Sequence, residues 1–435
     1  MKVSTLGTTA AHRPAPDPAV RGPRPGHPPH HTPLWVPAAT GPHHPPAFTP
    51  ATSLLVVDSR DTGRAWAPLG VRTVRVGRDL SGSAPAWTSY LKALHQQGHA
   101  PRTLVFDLPA ATTSPERAAD LTLPLLRALC CSTRRTPLHV AFLVTGRARP
   151  ELAAAFGAIA QQAGAEDGRI HAVSLAVQTL PPWARDPLHT ALGELALPRP
   201  KLAEVRYTPT GREVRVLRAA PAPRPGTPRA ALRPGGRYLL TDTGEGDGAR
   251  LALALARTHR ARIVLLAPEC GPAPADPRIT HVAGRLSRAE DVRAAVRVAL
   301  HHFGSLDGVL HCAGHAEGRP LSQLSAATAR QVLADAVTGA AHLDDATAAL
   351  SLDFFALTTA APAYRTATGA ALPAATARAL GALAASRAHL ARAGLRRGLS
   401  LALCRPDRTG PPTPDALNRA LADGHSELTV HPAAH

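Results

Sequence analysis

The sequence predicts an α/β protein built from two tandem, doubly wound parallel sheets, and three observations carry that expectation. Short apolar runs of strand length recur along most of the chain. Alanine- and leucine-rich stretches with helical spacing separate them, and one run ends in a glycine-rich turn that opens a helix.

Residues 1–50 stand apart from this alternation. They are rich in Pro, His and Arg and lack apolar periodicity. Such a segment cannot bury enough surface to offset its ordering entropy, so a disordered arm is expected. The pairs His30–His31 and His43–His44 have no fixed geometry around them, and no metal site is expected there.

The first α/β unit, residues 51–219, places strands at "SLLVVD", "VRTVRV", "RTLVFD", "LHVAFLVT" and "IHAVSL". Helices fall between several of them, at "ERAADLTLPLLRALCC" and "PELAAAFGAIAQQAG". The unit ends in "AEVRYTPTGREVRVLRA", two β-prone runs around a Pro/Gly turn, which predicts a hairpin. Residues 220–236, "APAPRPGTPRAALRPGG", read as a linker.

The second unit, residues 237–435, alternates more regularly. "RYLLT" is a strand, "RLALALART" a helix, "RIVLLA" a strand and "AEDVRAAVRVALHHF" a helix. "LDGVLHCAG", "SAATARQVLADAVTGAAHL", "LDFFALTTA", "AATARALGALAASRAHLARAG" and "LSLALC" continue the pattern, and "TPDALNRALADGHSELTV" adds a helix and a terminal strand. Strands separated by single helices describe a Rossmann-like sheet.

At 435 residues the chain can bury a substantial core. Its net charge of +18 invites a nucleic-acid reading, but the positive charge is nearly all arginine, with lysine only at Lys2, Lys92 and Lys201. Aromatics make up 3% of residues, and no basic stripe carries interleaved rings for stacking on bases. Nucleic-acid binding through the arginine excess is therefore kept as a minor alternative. The five cysteines, Cys130, Cys131, Cys270, Cys312 and Cys404, have no metal-ligand spacing and fit a reducing compartment. No apolar run reaches the roughly 18–20 residues that span a bilayer. The N-terminus has no signal-peptide core, so a cytoplasmic protein without a membrane partner is expected.

The candidate site is "TDTGEGDG", residues 241–248. Glycines after a first strand let backbone N–H groups approach a pyrophosphate, and the helix N-terminus adds a partial positive charge. Gly244, Gly246 and Gly248 keep that permissive backbone after Thr241. Asp242 stands where the first glycine of the pattern is expected, and Glu245 and Asp247 add two further acids. Carboxylates repel phosphates in a low-dielectric pocket, so the turn reads as the remnant of a cradle. At the end of the next strand Pro268 and Glu269 replace the basic residue that would hold a 2′-phosphate.

The series "GGRYLLT…GEGDG", "SLDGVLHCAG", "PLSQLSAATARQVLADAVTGAAHL" and "LDFFALTTAA" resembles the catalytic half of a polyketide synthase ketoreductase, a branch of the short-chain dehydrogenase/reductase superfamily. The region with "LHVAFLVTGRARPELAAAFGAIAQQAG" and "EVRYTPTGREVRV" is similar to the truncated structural half that precedes it. The resemblance covers roughly residues 52–431. It implies reduction of a β-ketoacyl group on an acyl carrier protein by NADPH, with a tyrosine acid, a polarising serine, a lysine and an asparagine. Carried across, the lysine position is Ala336, the serine Ala360, the tyrosine Pro373 and the asparagine Ala377. The cofactor positions implied are Thr241, Gly244, Gly246, Gly248, Ala313 and Gly314, here vestigial. Arg285 occupies the place of an acidic residue near the adenine, and the glycine-glutamine pair approaching the tyrosine survives only as Gly369–Ala370.

The expected function is that of a catalytically inactive, ketoreductase-like protein of polyketide or related fatty-acyl biosynthesis. No cofactor is expected, though NADPH or NADH would take the turn if the pocket works. The expected partner is a polyketide synthase or an acyl carrier protein, whose acidic surface suits a basic chain. The enzymatic alternative is a reductase that uses Thr359 and Tyr364 as displaced substitutes. Without a nearby cation that phenol would keep a pKa of about 10.

Overall fold

The computed structural model describes residues 30–38, 54–58, 72–75, 83–111, 113–132, 136–146, 149–197, 204–219, 230–244, 246–268, 276–313, 318–359, 367–404 and 412–430. The first half comprises β1 (His30–Pro37), β2 (Leu54–Asp58), β3 (Arg72–Arg75), α1 (Ala84–Gln96), β4 (Thr103–Pro109), α2 (Pro115–Cys130), β5 (Leu138–Thr145) and α3 (Pro150–Glu166). It continues with β6 (Ile170–Val177), α4 (Pro187–Ala196), β7 (Glu204–Thr208) and β8 (Gly211–Ala219). Prolines open α2, α3 and α4 where a missing N–H costs nothing, and Ser114 and Asp186 cap α2 and α4.

The second half begins with β9 (Arg237–Asp242), α5 (Asp247–His259), β10 (Arg262–Ala267), β11 (Ile279–Ala283), α6 (Ala289–Phe303) and β12 (Gly308–Cys312). A helical segment follows in three parts: α7 (Ala326–Leu333), a π-helical turn (Ala334–Thr338) and α8 (Gly339–Ala346). Then come β13 (Phe354–Thr359), α9 (Ala371–Arg392), β14 (Leu399–Cys404), α10 (Pro414–Asp423) and β15 (Glu427–Val430).

Both halves are parallel-dominated sheets, as the alternating pattern requires. The second runs β11-β10-β9-β12-β13-β14-β15, with the order reversing between β9 and β12. That reversal is the switch point at whose carboxyl edge open α/β sheets bind ligands. The first half runs β3-β2-β4-β5-β6-β7, and β8 folds back antiparallel on β7 as the hairpin pattern predicts. The two sheets are not separate layers. β1 lies antiparallel between β8 and β15 and joins them into one sheet of fifteen described strands.

This corrects the expectation for part of the N-terminal arm: His30–Pro37 is a strand. The N–H of Ala38 donates to the carbonyl of Arg212 on β8, so by strand alternation Pro33 and Pro37 point away from β8. On that far side β15 pairs only with His30 and His31, so neither proline breaks a ladder bond. Trp35 holds the strand from above, with the Arg206 guanidinium 4.2 Å and that of Arg215 5.8 Å from its ring centre. The rest of the arm, His43 and His44 included, lies outside the described residues.

One apolar cluster crosses from half to half. Phe106, Phe142 and Phe156 of the first join Leu239, Phe355, Leu372 and Leu380 of the second, with α9 lying along α3. A buried ionic network reinforces the seam. Glu204 on β7 accepts from Arg378 on α9 (2.8 Å) and from Arg215 on β8 (3.2 Å), and Arg215 also donates to Glu427 on β15 (2.7 Å). Gly157 on α3 and Gly381 on α9 make room for the two glutamates. A Cβ at Gly157 would lie 2.1 Å from Glu204 Cγ, and one at Gly381 would lie 2.3 Å from Glu427 Cδ.

Candidate functional site

β9 is buried through its last five residues, Tyr238 to Asp242, between β10 and β12. The chain can leave the sheet there only through a tight turn. Gly244 (φ +109°) and Gly246 (φ +81°) take left-handed conformations that side-chain-bearing residues rarely adopt. Gly248 serves close approach instead, because a Cβ would sit 2.5 Å from the Thr241 carbonyl oxygen. Thr241, Gly244, Gly246 and Gly248 thus stand together at the carboxyl edge of the switch point.

Asp242 has a different role from the one its charge suggested. Only 3% exposed, it turns its carboxylate into the turn. Oδ1 accepts from the N–H groups of Gly244 (2.8 Å) and Gly246 (3.2 Å), and Oδ2 accepts from that of Ala249 (3.0 Å). Gly246 is the N-cap of α5 and has no side chain to offer, so Asp242 does the capping from four residues upstream. The acid two residues before a glycine was a sequence signal for this, since an aspartate there closes an Asx-turn. Asp247, also buried, pairs with Arg250. Pro268 lies against the other side of the turn, 3.7 Å from where a Gly244 Cβ would be.

A fully buried histidine sits beneath. His311 Nε2 faces the Ala336 carbonyl at 2.9 Å, so that nitrogen carries the proton, and Nδ1 accepts from the Thr241 hydroxyl at 2.7 Å. Burial keeps the ring neutral and pulls its pKa down to about 4. His311 therefore ties the strand below the glycine turn to the π-helical turn that carries Ala336.

The positions of the expected tetrad carry no acid or base. Ala336, Pro373 and Ala377 are all buried, the last two on α9, where the Ala377 carbonyl accepts from the Cys404 thiol (3.8 Å). Thr359 is buried at the carboxyl end of β13, and the neighbouring Thr358 carbonyl accepts from the N–H of Ala313 (2.9 Å). Gly314, Ala360, Tyr364, Glu245 and Glu269 lie outside the described residues. Arg285 is exposed, with its N–H donating to Asp291 (2.8 Å). Burial raises the pKa of the Cys312 thiol to about 12, so it is no nucleophile.

Near this edge the first half reaches across. Glu166, the last residue of α3, accepts from the N–H of Leu321 (2.7 Å) with one oxygen and from that of Gly369 (3.1 Å) with the other. It thereby pins the segments that precede α7 and α9 beside a cleft of about 380 Å³. No local pattern announces this contact. Among the described residues no group of three or more His, Cys, Asp or Glu could hold a metal ion, and no helix is long and apolar enough to cross a membrane.

Comparison with known proteins agrees with this geometry. An alignment over 172 residues, covering 36% of this chain, is 37% identical to the polyketide synthase ThaG of Burkholderia thailandensis, of whose length it spans only 3%. The fold is similar to an N-terminal ketoreductase from the macrolactin assembly line (TM-score 0.70, 15% identity, 93% of this chain and 91% of that one). It is also similar to an A1-type ketoreductase (TM-score 0.68, 21% identity, 92% of each chain). Residues 236–404 match the KR domain family, and the described chain as a whole has the two-half fold of polyketide synthase ketoreductases.

Proposed function

We propose that this chain is a ketoreductase-type protein that no longer reduces a carbonyl and serves a polyketide or related fatty-acyl assembly line as a structural or partner-binding component. One observation carries the reading: Ala336, Pro373 and Ala377 offer no proton donor, no cation and no carbonyl-polarising group. Lysine is absent from the chain beyond Lys201, so no shifted alignment restores that member. Reduction needs a proton for the forming alkoxide as hydride arrives, and a hydrocarbon wall supplies none. The fold meanwhile keeps its cross-half core and its ion pairs, which suits a role in assembly. An acyl carrier protein or another synthase component is the partner proposed, in the cytoplasm. The division into a structural-type part (51–219), a linker (220–236) and a catalytic-type part (237–435) belongs to the same proposal.

The test is an assay of the purified chain with β-ketoacyl thioesters, free and carried, plus NADPH or NADH, alongside pull-down of synthase components. No hydroxyacyl product together with a stable complex is expected; turnover would overturn the reading. The second reading, reduction through displaced residues, draws on Thr359, whose place at the end of β13 is one residue from the serine position. Product that disappears in Thr359→Val or Tyr364→Phe would establish it.

A further inference from the structure

The turn after β9 is shaped to receive an anion, and it already holds one from its own chain. Three N–H groups converge on the Asp242 carboxylate: those of Gly244 and Gly246 in the turn and that of Ala249 in the first turn of α5. These are the kinds of donor that a strand–glycine turn–helix unit presents to a pyrophosphate. The residues present therefore do not fit a dinucleotide. We infer that Asp242 is an internal substitute for the phosphate anion, and that it holds the site closed to nicotinamide dinucleotides.

Several features make this a lock and not a loose side chain. Asp242 belongs to the β9 ladder opposite Cys312, so its backbone is fixed by the sheet. Gly248 packs against it, since a Cβ there would lie 2.8 Å from Asp242 Cβ. Removing the carboxylate would leave α5 without a side-chain cap, because Gly246 has none. A phosphate that displaced it would then face two carboxylates, Asp242 and Asp247, at one helix N-terminus. Arg250, the nearest cation on α5, is engaged with Asp247.

The inference deepens the proposed function, since both concern the same pocket, but each can fail alone. A chain that binds NADPH and reduces nothing would keep the proposed function and lose this inference. The experiment titrates NADPH, NADH and inorganic pyrophosphate calorimetrically into the full chain and into Asp242→Gly. The wild type is expected to give no binding heat up to about 1 mM, whereas the glycine variant gains affinity by roughly tenfold or more. Micromolar binding by the wild type overturns the inference, as does a folded glycine variant that ignores all three ligands. Hydrogen exchange on the wild type keeps the test decisive if the variant does not fold. The Gly244, Gly246 and Ala249 amides are expected to be protected in the ligand-free protein, and fast exchange at all three would overturn the inference.

Discussion

Glutamine at position 204 would remove one of four buried charges that tie the two halves together while leaving the shape of the side chain unchanged. Glu204, Glu427, Arg215 and Arg378 sum to zero, and none has a side chain more than 7% exposed. Glu204 faces two guanidinium groups, and a pair of unit charges about 4 Å apart is worth roughly 4 kcal/mol at an effective dielectric of about 20. Relief of the carboxylate's own desolvation offsets part of that loss. Breaking a buried pair from one side typically destabilises by about 3–5 kcal/mol, because the surviving charge is left uncompensated. Glu204→Gln is therefore expected to lower the unfolding free energy by about that amount, read from urea melts followed by circular dichroism. Arg378→Met should do the same from the other half. The double variant Glu204→Gln/Arg378→Met leaves only the neutral Arg215–Glu427 pair as charges, so it should be less damaged than the sum of its parts. A Glu204→Gln protein within about 1 kcal/mol of wild type, or strict additivity in the cycle, would refute the argument.

Three further outcomes follow from the same structure. His311 has a pKa of about 4 when folded and about 6.5 when unfolded, so only the unfolded chain binds a proton between those values. Stability should fall as pH drops from about 6.5 to 4, by about 3 kcal/mol in all, and His311→Gln should flatten that part of a pH series of melts. Gly157→Ala and Gly381→Ala drive a methyl into Glu204 and Glu427, and each is expected to destabilise by about 1–3 kcal/mol in thermal melts. Glu166→Ala frees the amides of Leu321 and Gly369, so hydrogen exchange should accelerate there and leave the strands of both sheets unchanged.

Most regular elements of the second half were legible because strands such as "RIVLLA" and "LDFFALTT" are short apolar runs buried on both faces. The hairpin of β7 and β8 was legible from its turn residues. β11 was not singled out: "ITHVA" is short, carries a histidine and is only half-buried at the edge of the sheet. β1 was hidden by the composition around it, since two prolines and paired histidines look like disorder until a neighbouring strand shows where the missing donors point. In the site, the place of the glycine turn followed from the sequence, but the direction of Asp242 did not. Charge alone predicted repulsion of a phosphate; backbone geometry shows an acceptor satisfying the turn itself. Glu166 and the Glu204 network had no local signature, because their partners lie far along the chain and only the packing of α3 against α9 brings them together.

The position of β1 has a consequence for the order in which the molecule can be completed. Its two neighbours are β8, the last strand of the first half, and β15, the last described strand of the second. A ribosome delivers β1 before either of them. The first half can therefore collapse on its own parallel strands while one flank of β1 waits, and the second half must be finished before that flank is covered. Closing so long a loop adds little entropy beyond closing a shorter one, so the delay is one of sequence and not of free energy. The middle of the finished sheet is thus the part that becomes continuous last, sealed by a segment that was synthesised before both of its neighbours.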